Sequence, residues 1–251
     1  GFADIENKKL THDCTTYHAF SVTKTFTALA VMQLVEKKML QLEEAVKKYL
    51  PEFPYDPAIN VKQLLTHSAG IPNPIPLKWI HPVEEHGAFN RDSFFNQVFA
   101  KNKQTQFKPN EKFAYSNLGY ILLGQLIEKI SGLSYEQYIT DNIINKAGLG
   151  DKLGFTIGNI REHAKGYQKR LTFSNLLLGF LINKSKFMGK PEGKWIPFNH
   201  YYVNGVSYGG LIGTPDAFVK YLQELLKPDG LLISDDLKQL LFTENYSRNG
   251  G

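Results

Sequence analysis

Residues 20–35 read FSVTKTFTALAVMQLV, and their apolar positions (20, 22, 26, 29, 31, 32, 34 and 35) cover the whole helical wheel. A helix that is apolar all round is buried on every side, so this pattern predicts a central helix over about 20–38. Other stretches carry one-sided stripes. Residues 91–101 turn Phe94, Phe95, Val98 and Phe99 inward, and residues 118–130 repeat apolar positions at helical spacing before Gly132 closes them. Shorter helices are expected over 43–49, stopped by Pro51, and over 61–67. Ser134 and Gln137 form a capping box for a helix ending near Gly148. Thr214 and Pro215 open a helix to Lys227, and residues 235–242 form a last one. Strand patterns are sparse. Residues 1–10 read as a strand ending in a polar turn, with no partner before it, and residues 195–207 are strand-like. Residues 68–90 hold four prolines and predict a long loop, a kind of connection often tied to function. The expected fold class is α+β within one unit over 1–251. Residues 1–58 and 206–251 would make an α+β lobe from both chain ends, and 59–205 a mostly helical lobe.

The central helix carries an anomaly in its first turn. Ser21 and Lys24 lie three apart, so hydroxyl and amine share a face. Burying an ammonium is costly, and desolvation drives a lysine toward its neutral form. A neutral amine one turn from a serine can take the hydroxyl proton and make the serine a nucleophile. The bland alternative is a helix start with a lysine reaching back to water.

Composition narrows the setting. The 251 residues suffice for a full core, and no run reaches the length of a membrane span. The chain opens on GFADIENKKL without a basic-then-apolar leader or an initiating methionine, so a removed leader or a trimmed chain is expected. Cys14 is the single cysteine, which excludes an intrachain disulfide and a cysteine zinc site. The net charge of +5 is concentrated in residues 165–194, where seven basic residues meet one acid, Glu192. The remainder is near neutral, so no nucleic-acid partner is expected.

A second constellation follows nearly a hundred residues on. In PNEKFAYSNLGYILLG, Tyr115 and Asn117 flank Ser116 just before a helix. Tyr115 is placed to relay a proton between Ser21, Lys24 and a leaving group, and Asn117 to bond a substrate amide. In the bland reading, Ser116 or Asn117 is only a helix cap.

Together, SVTK at 21–24 and YSN at 115–117 resemble the first two signatures of the serine β-lactamase and penicillin-binding-protein superfamily. The tyrosine in the second motif is similar to the class C β-lactamase branch, which includes D-alanyl-D-alanine peptidases and carboxylesterases. GFADIENKKL, LLTHSAGIP at 64–72, residues 118–139 and residues 209–226 share the resemblance, which spans nearly the whole chain. It implies a β-lactamase/transpeptidase-like fold, with an antiparallel sheet lobe beside a mostly helical one. It implies a serine hydrolase acting on an amide or ester carbonyl (a β-lactam, a D-alanyl peptide or a small ester), without metal or organic cofactor. Ser21 would be acylated, Lys24 its base, Tyr115 the second acid/base group and Asn117 the substrate-amide contact. The Ser21 N–H would form one arm of the oxyanion hole. The resemblance also implies an exported, cell-envelope or extracellular protein.

The third signature of that family, a Lys or His followed by Thr/Ser, any residue and Gly on an edge strand, has no clear match. Terminal elements of the family are expected to be missing at both ends. A non-hydrolytic penicillin sensor or scaffold of the same fold is the alternative. Asn110 stands where the family usually has Gly, and residues 145–147 where it has a Pro-Leu turn, so local differences are expected there.

Several residues outside the two motifs invite a role. His81 and His86 flank Glu84 and Glu85, a conceivable zinc set, but the spacing favours a solvated loop. His67 reads as structural, bonding loop backbone, while His163 and His200 have no evident partner. Trp79 and Trp195 read as core or rim residues. Residues 171–190 join an apolar run to lysines, which suggests a lid or weak contact with an anionic membrane or polymer through 165–194. A helix buried in the helical lobe is the favoured alternative.

Overall fold

Residues 1–10 find their partner strand within themselves. In the computed structural model, which describes residues 1–245 and all their side chains except those at 176, 177, 179 and 180, β1 (Phe2–Asp4) pairs antiparallel with β2 (Lys9–Leu10). Asp4 closes the reversal by accepting hydrogen bonds from the backbone and side-chain N–H groups of Asn7, and Lys8 takes a left-handed φ of 50°. Such a side-chain-to-backbone turn reverses a polar run that otherwise reads as the end of one strand.

After β3 (Tyr17–His18) comes one 3-10 turn, Phe20–Val22, and only then α1 (Thr23–Glu36). The central helix therefore starts three residues later than its apolar pattern suggested. Thr23 and Thr27 are buried together with most of its apolar residues, while Thr25 is exposed. It ends in a Schellman motif: Lys38 takes φ 56°, the Met39 N–H donates to the Leu34 carbonyl and the Lys38 N–H to the Val35 carbonyl.

The chain continues through α2 (Val46–Tyr49) and α3 (Val61–Leu65), whose start is a full capping box between Asn60 and Gln63. The long prolyl stretch is not structureless. It holds β4 (Ile80–Pro82) between 3-10 turns at Pro76–Lys78 and Val83–Ala88. Then come α4 (Arg91–Lys101), with Phe95 and Phe99 buried, and α5 (Asn117–Ser131), which Gly132 ends at φ 74°. The box expected at Ser134 is half formed. Ser134 accepts from the Gln137 N–H, but the Gln137 amide bonds Asp141 instead. α6 (Tyr135–Ile139) accordingly gives way to a π turn at Thr140–Ile144.

The second half supplies β5 (Leu153–Gly154), β6 (Tyr167–Lys169), α7 (Phe173–Leu181), α8 (Lys184–Phe187), β7 (Trp195–Pro197) and β8 (Tyr201–Val203). It ends with α9 (Val206–Gly209), β9 (Ile212–Gly213), α10 (Pro215–Leu226) and α11 (Asp235–Leu241). β9 sits between β3 and β5, with Tyr17 and Leu153 both opposite Gly213. This antiparallel sheet thus joins strands from early, middle and late chain. Two-stranded pairs β4–β8 and β6–β7 complete the sheets among the described residues.

α1 is packed by α5, α6, α9 and α11. Phe26 stacks on Tyr221 of α10 with ring centroids 3.7 Å apart. Gly124 lets α9 seat directly on α5, since a Cβ there would lie 2.5 Å from Ser207 Oγ. Thr27 donates to the Ser207 carbonyl at 2.6 Å, which ties α9 to α1 as well. Trp79 is buried against Phe95 and Tyr208, while Trp195 lies at the rim. The favoured buried reading of residues 171–190 holds only in part. Phe173 is 74% exposed and Leu171 89%, yet Leu178 and Ile182 face a pocket; the run at 176, 177, 179 and 180 lies outside the described side chains.

Candidate active site

Ser21 lies in the 3-10 turn that feeds the N-terminus of α1, where free backbone N–H groups favour developing negative charge. Phe20 before it holds a left-handed φ of 44°. That conformation costs a non-glycine residue on the order of 1 kcal/mol and persists only where the surroundings impose it. Here the imposing contacts are on both sides: the Ala19 N–H is fixed to the Leu211 carbonyl, and the Val22 N–H to the Ala19 carbonyl.

The structure brings the four residues singled out in the sequence to one point. Ser21 Oγ is 2.8 Å from the Tyr115 hydroxyl and 3.2 Å from Lys24 Nζ. Lys24 Nζ also donates to Asn117 Oδ1 and to the Tyr208 carbonyl, each at 2.9 Å. The amine is buried among the rings of Tyr115, Tyr208 and Tyr120, with centroids 4.8, 5.2 and 5.5 Å away. None of its hydrogen-bond acceptors bears a charge. Burial lowers its pKa to about 7. As a neutral amine it has two N–H groups to donate, and two carbonyl oxygens receive them. The lone pair is then left for the Ser21 hydroxyl proton.

Ser116, not Asn117, caps α5. Its Oγ accepts from the Gly119 N–H and donates to the Pro72 carbonyl. The prolyl stretch also supplies Asn73, whose Oδ1 accepts from the Asn117 N–H at 3.0 Å. His67 Nδ1 accepts from the Ser116 N–H at 3.1 Å, and its ring packs on Tyr115 with centroids 4.5 Å apart. Burial, and to a lesser extent Lys24, lowers the His67 pKa to about 4, which keeps Nδ1 free to accept. The structural role expected of His67 is thus met in the site's own support. Gly70, at φ 75°, admits the Phe107 carbonyl where a Cβ would be only 2.2 Å from it. Asn110 adopts φ 64° where a glycine was expected and accepts from the Ser68 hydroxyl.

His67, Asn73 and Tyr208 were not singled out as site residues from the sequence. LLTHSAGIP, at 64–72, contains His67 and stops one residue short of Asn73. Tyr208 acts through its carbonyl, for which no side-chain signal exists.

The prolyl stretch is solvated at Glu84, Glu85 and His86 but not at His81, and among the described residues these four form no ligand set. His81 is buried, its Nδ1 bonds Asn204 Oδ1 at 2.8 Å, and its Nε2 bonds His86 Nδ1 at 2.9 Å. His163 bonds Thr16 and packs edge-on against His18 and His200, partners the sequence did not reveal.

The family model described as Beta-lactamase matches residues 1–250. The chain belongs to the β-lactamase family. Penicillin-binding protein 4* of Bacillus subtilis is 33% identical over 256 residues, covering 100% of this chain and 53% of its own length. This β-lactamase-family chain therefore spans about half of that relative. Among solved structures, the octameric penicillin-binding protein homologue from Pyrococcus abyssi superposes with a TM-score of 0.73 at 28% identity, over 95% of this chain and 51% of the other. The D-amino acid amidase from Ochrobactrum anthropi SV3 superposes with a TM-score of 0.75 at 22% identity, over 95% and 64%. The β-lactamase/transpeptidase-like fold expected from the two motifs is the observed one. Among the described residues, no helix is long and apolar enough to cross a membrane.

Proposed function

We propose that this β-lactamase-family chain carries the acylating centre of a serine hydrolase for an amide or ester carbonyl. The observation that carries the reading is the position of Ser21 Oγ, within hydrogen-bond reach of both Tyr115 OH and Lys24 Nζ. Neutral Lys24 takes the Ser21 proton as Oγ attacks the substrate carbonyl carbon. The tetrahedral oxyanion gathers at the Ser21 N–H, at the positive end of α1. As the intermediate collapses, the bond to the leaving nitrogen or oxygen breaks, and that atom receives a proton through the Tyr115 hydroxyl. Water then attacks the ester on Ser21 with proton transfer to the Tyr115–Lys24 pair. The Ser21 Oγ–acyl bond breaks and Oγ regains its proton. Asn117 holds Lys24 in place and is positioned beside the substrate amide.

The relatives agree in kind. One is named for binding penicillin and another is an amidase. A location at the cell envelope fits that kinship and is part of the proposal.

Incubation of the full-length protein with a labelled penicillin and with a fluorophosphonate, followed by peptide mass spectrometry, tests the reading. A covalent adduct on Ser21 is expected, and Ser21→Ala lowers kcat/KM by about 10⁴-fold. No adduct with either reagent overturns it. Steady turnover of a chromogenic ester or cephalosporin separates a hydrolase from a sensor that acylates once.

A further inference from the structure

Beside Ser21 the molecule holds an apolar pocket of about 280 Å³. Phe20, Leu77, Ile80, Leu178, Phe198 and Tyr208 form its walls. The residues lining it include no charged side chain. Two of the walls belong to the reacting centre. Phe20 precedes the serine in the chain, and Tyr208 holds Lys24 through its carbonyl and lays its ring 5.2 Å from the amine. The left-handed turn at Phe20 leaves that ring about half exposed, at 49%, beside the nucleophile. Leu178 reaches the pocket from α7, the helix on which Phe173 and Leu181 are exposed.

We infer that this pocket receives the acyl half of the substrate, and that this half is apolar: a straight or aryl-ended chain of up to about ten carbon atoms. The inference rests on the serine-hydrolase reading of Ser21. Its size limit follows from volume. An apolar cavity of about 150 Å³ takes up benzene, so 280 Å³ holds roughly twice that number of carbons. A charged or strongly hydrated acyl group would lose its water against these walls without a polar partner. Burial of one methylene strengthens binding about fourfold. Where the chain is held in the transition state, the same factor appears in kcat/KM.

The test compares p-nitrophenyl esters of two, four, eight, ten and fourteen carbons on the full-length protein. kcat/KM is expected to rise at least 50-fold from acetyl to octanoyl and to stop rising near ten carbons. Leu77→Trp, which fills the pocket from a surface turn, and Leu178→Asp, which charges it, should each lower the octanoyl-to-acetyl ratio at least tenfold. A flat or falling series with acetyl ester still hydrolysed overturns the pocket and leaves the hydrolase standing. Failure of every ester to react counts against the hydrolase, and the pocket is then read without turnover. Saturation-transfer NMR of octanoate with Ser21→Ala should show binding that Leu178→Asp abolishes, and no binding overturns the inference.

Discussion

Two lysines, each drawn partly out of water, have opposite fates. Lys24 lies among three tyrosine rings with uncharged oxygens as its hydrogen-bond acceptors, and burial takes its pKa down to about 7. Lys165 sits 2.9 Å from Asp4, 3.7 Å from Glu192 and 3.9 Å from Glu6. Burial pulls its pKa down too, but Asp4 foremost, with Tyr167 and Glu192, outweighs it and holds the amine charged. Asp4 answers in kind: burial would raise it, but bonds from Asn7 and Lys165 bring it to about 2. The first environment favours a neutral amine with a lone pair to offer. The second makes a fastener between the N-terminal hairpin and the β6–β7 pair. Desolvation alone does not decide which arises; the charge of the acceptor does.

Exchanging that one property should do the most damage. Asn117→Asp places a carboxylate where the amide oxygen now accepts from Lys24, so the ammonium form gains a counter-ion. At pH 7 kcat/KM should fall at least about 100-fold, with the ascending limb of its pH profile moved to alkaline values. A profile that stays in place would mean that Lys24 is not the titrating base. In the unaltered protein the sign is fixed by the lowered pKa. Reactivity needs the deprotonated amine, so log kcat/KM should climb by about one unit per pH unit below pH 7 and level off above it. The mildest effect belongs to the other lysine. Lys165→Met should leave ester or lactam turnover within twofold and cost about 1 kcal/mol in urea unfolding, in keeping with a partly exposed ion cluster. Asp4 sets the pH window of that loss. Its folded pKa lies below the unfolded value, so its share of stability is present above pH 4 and fades as pH falls toward 2.

The parts of the fold that follow from side-chain periodicity were legible in the sequence. Phe94, Phe95, Val98 and Phe99 announced α4, and the unbroken apolar wheel announced α1. What local pattern missed was backbone geometry. The hairpin at residues 1–10 depends on an Asp4–Asn7 turn, and the start of α1 was displaced by the left-handed Phe20. β4 was hidden because its pairing partner, Tyr201–Val203, is more than a hundred residues away. Within the candidate site, Ser21, Lys24, Tyr115 and Asn117 could be named because their side-chain types are ones suited to acyl transfer. His67 and Asn73 were harder, since each touches the backbone of the 115–117 turn rather than a reacting atom.

Of the two carbonyl oxygens that anchor Lys24, one belongs to the peptide bond after Tyr208. No codon change at that position deletes it. Heritable variation in the amine's surroundings must therefore arrive through Asn117 or the encircling phenols, or by moving α9 itself, a shift resisted at Gly124 and Thr27. The centre thus has one tether open to mutation and one that sequence drift cannot reach directly.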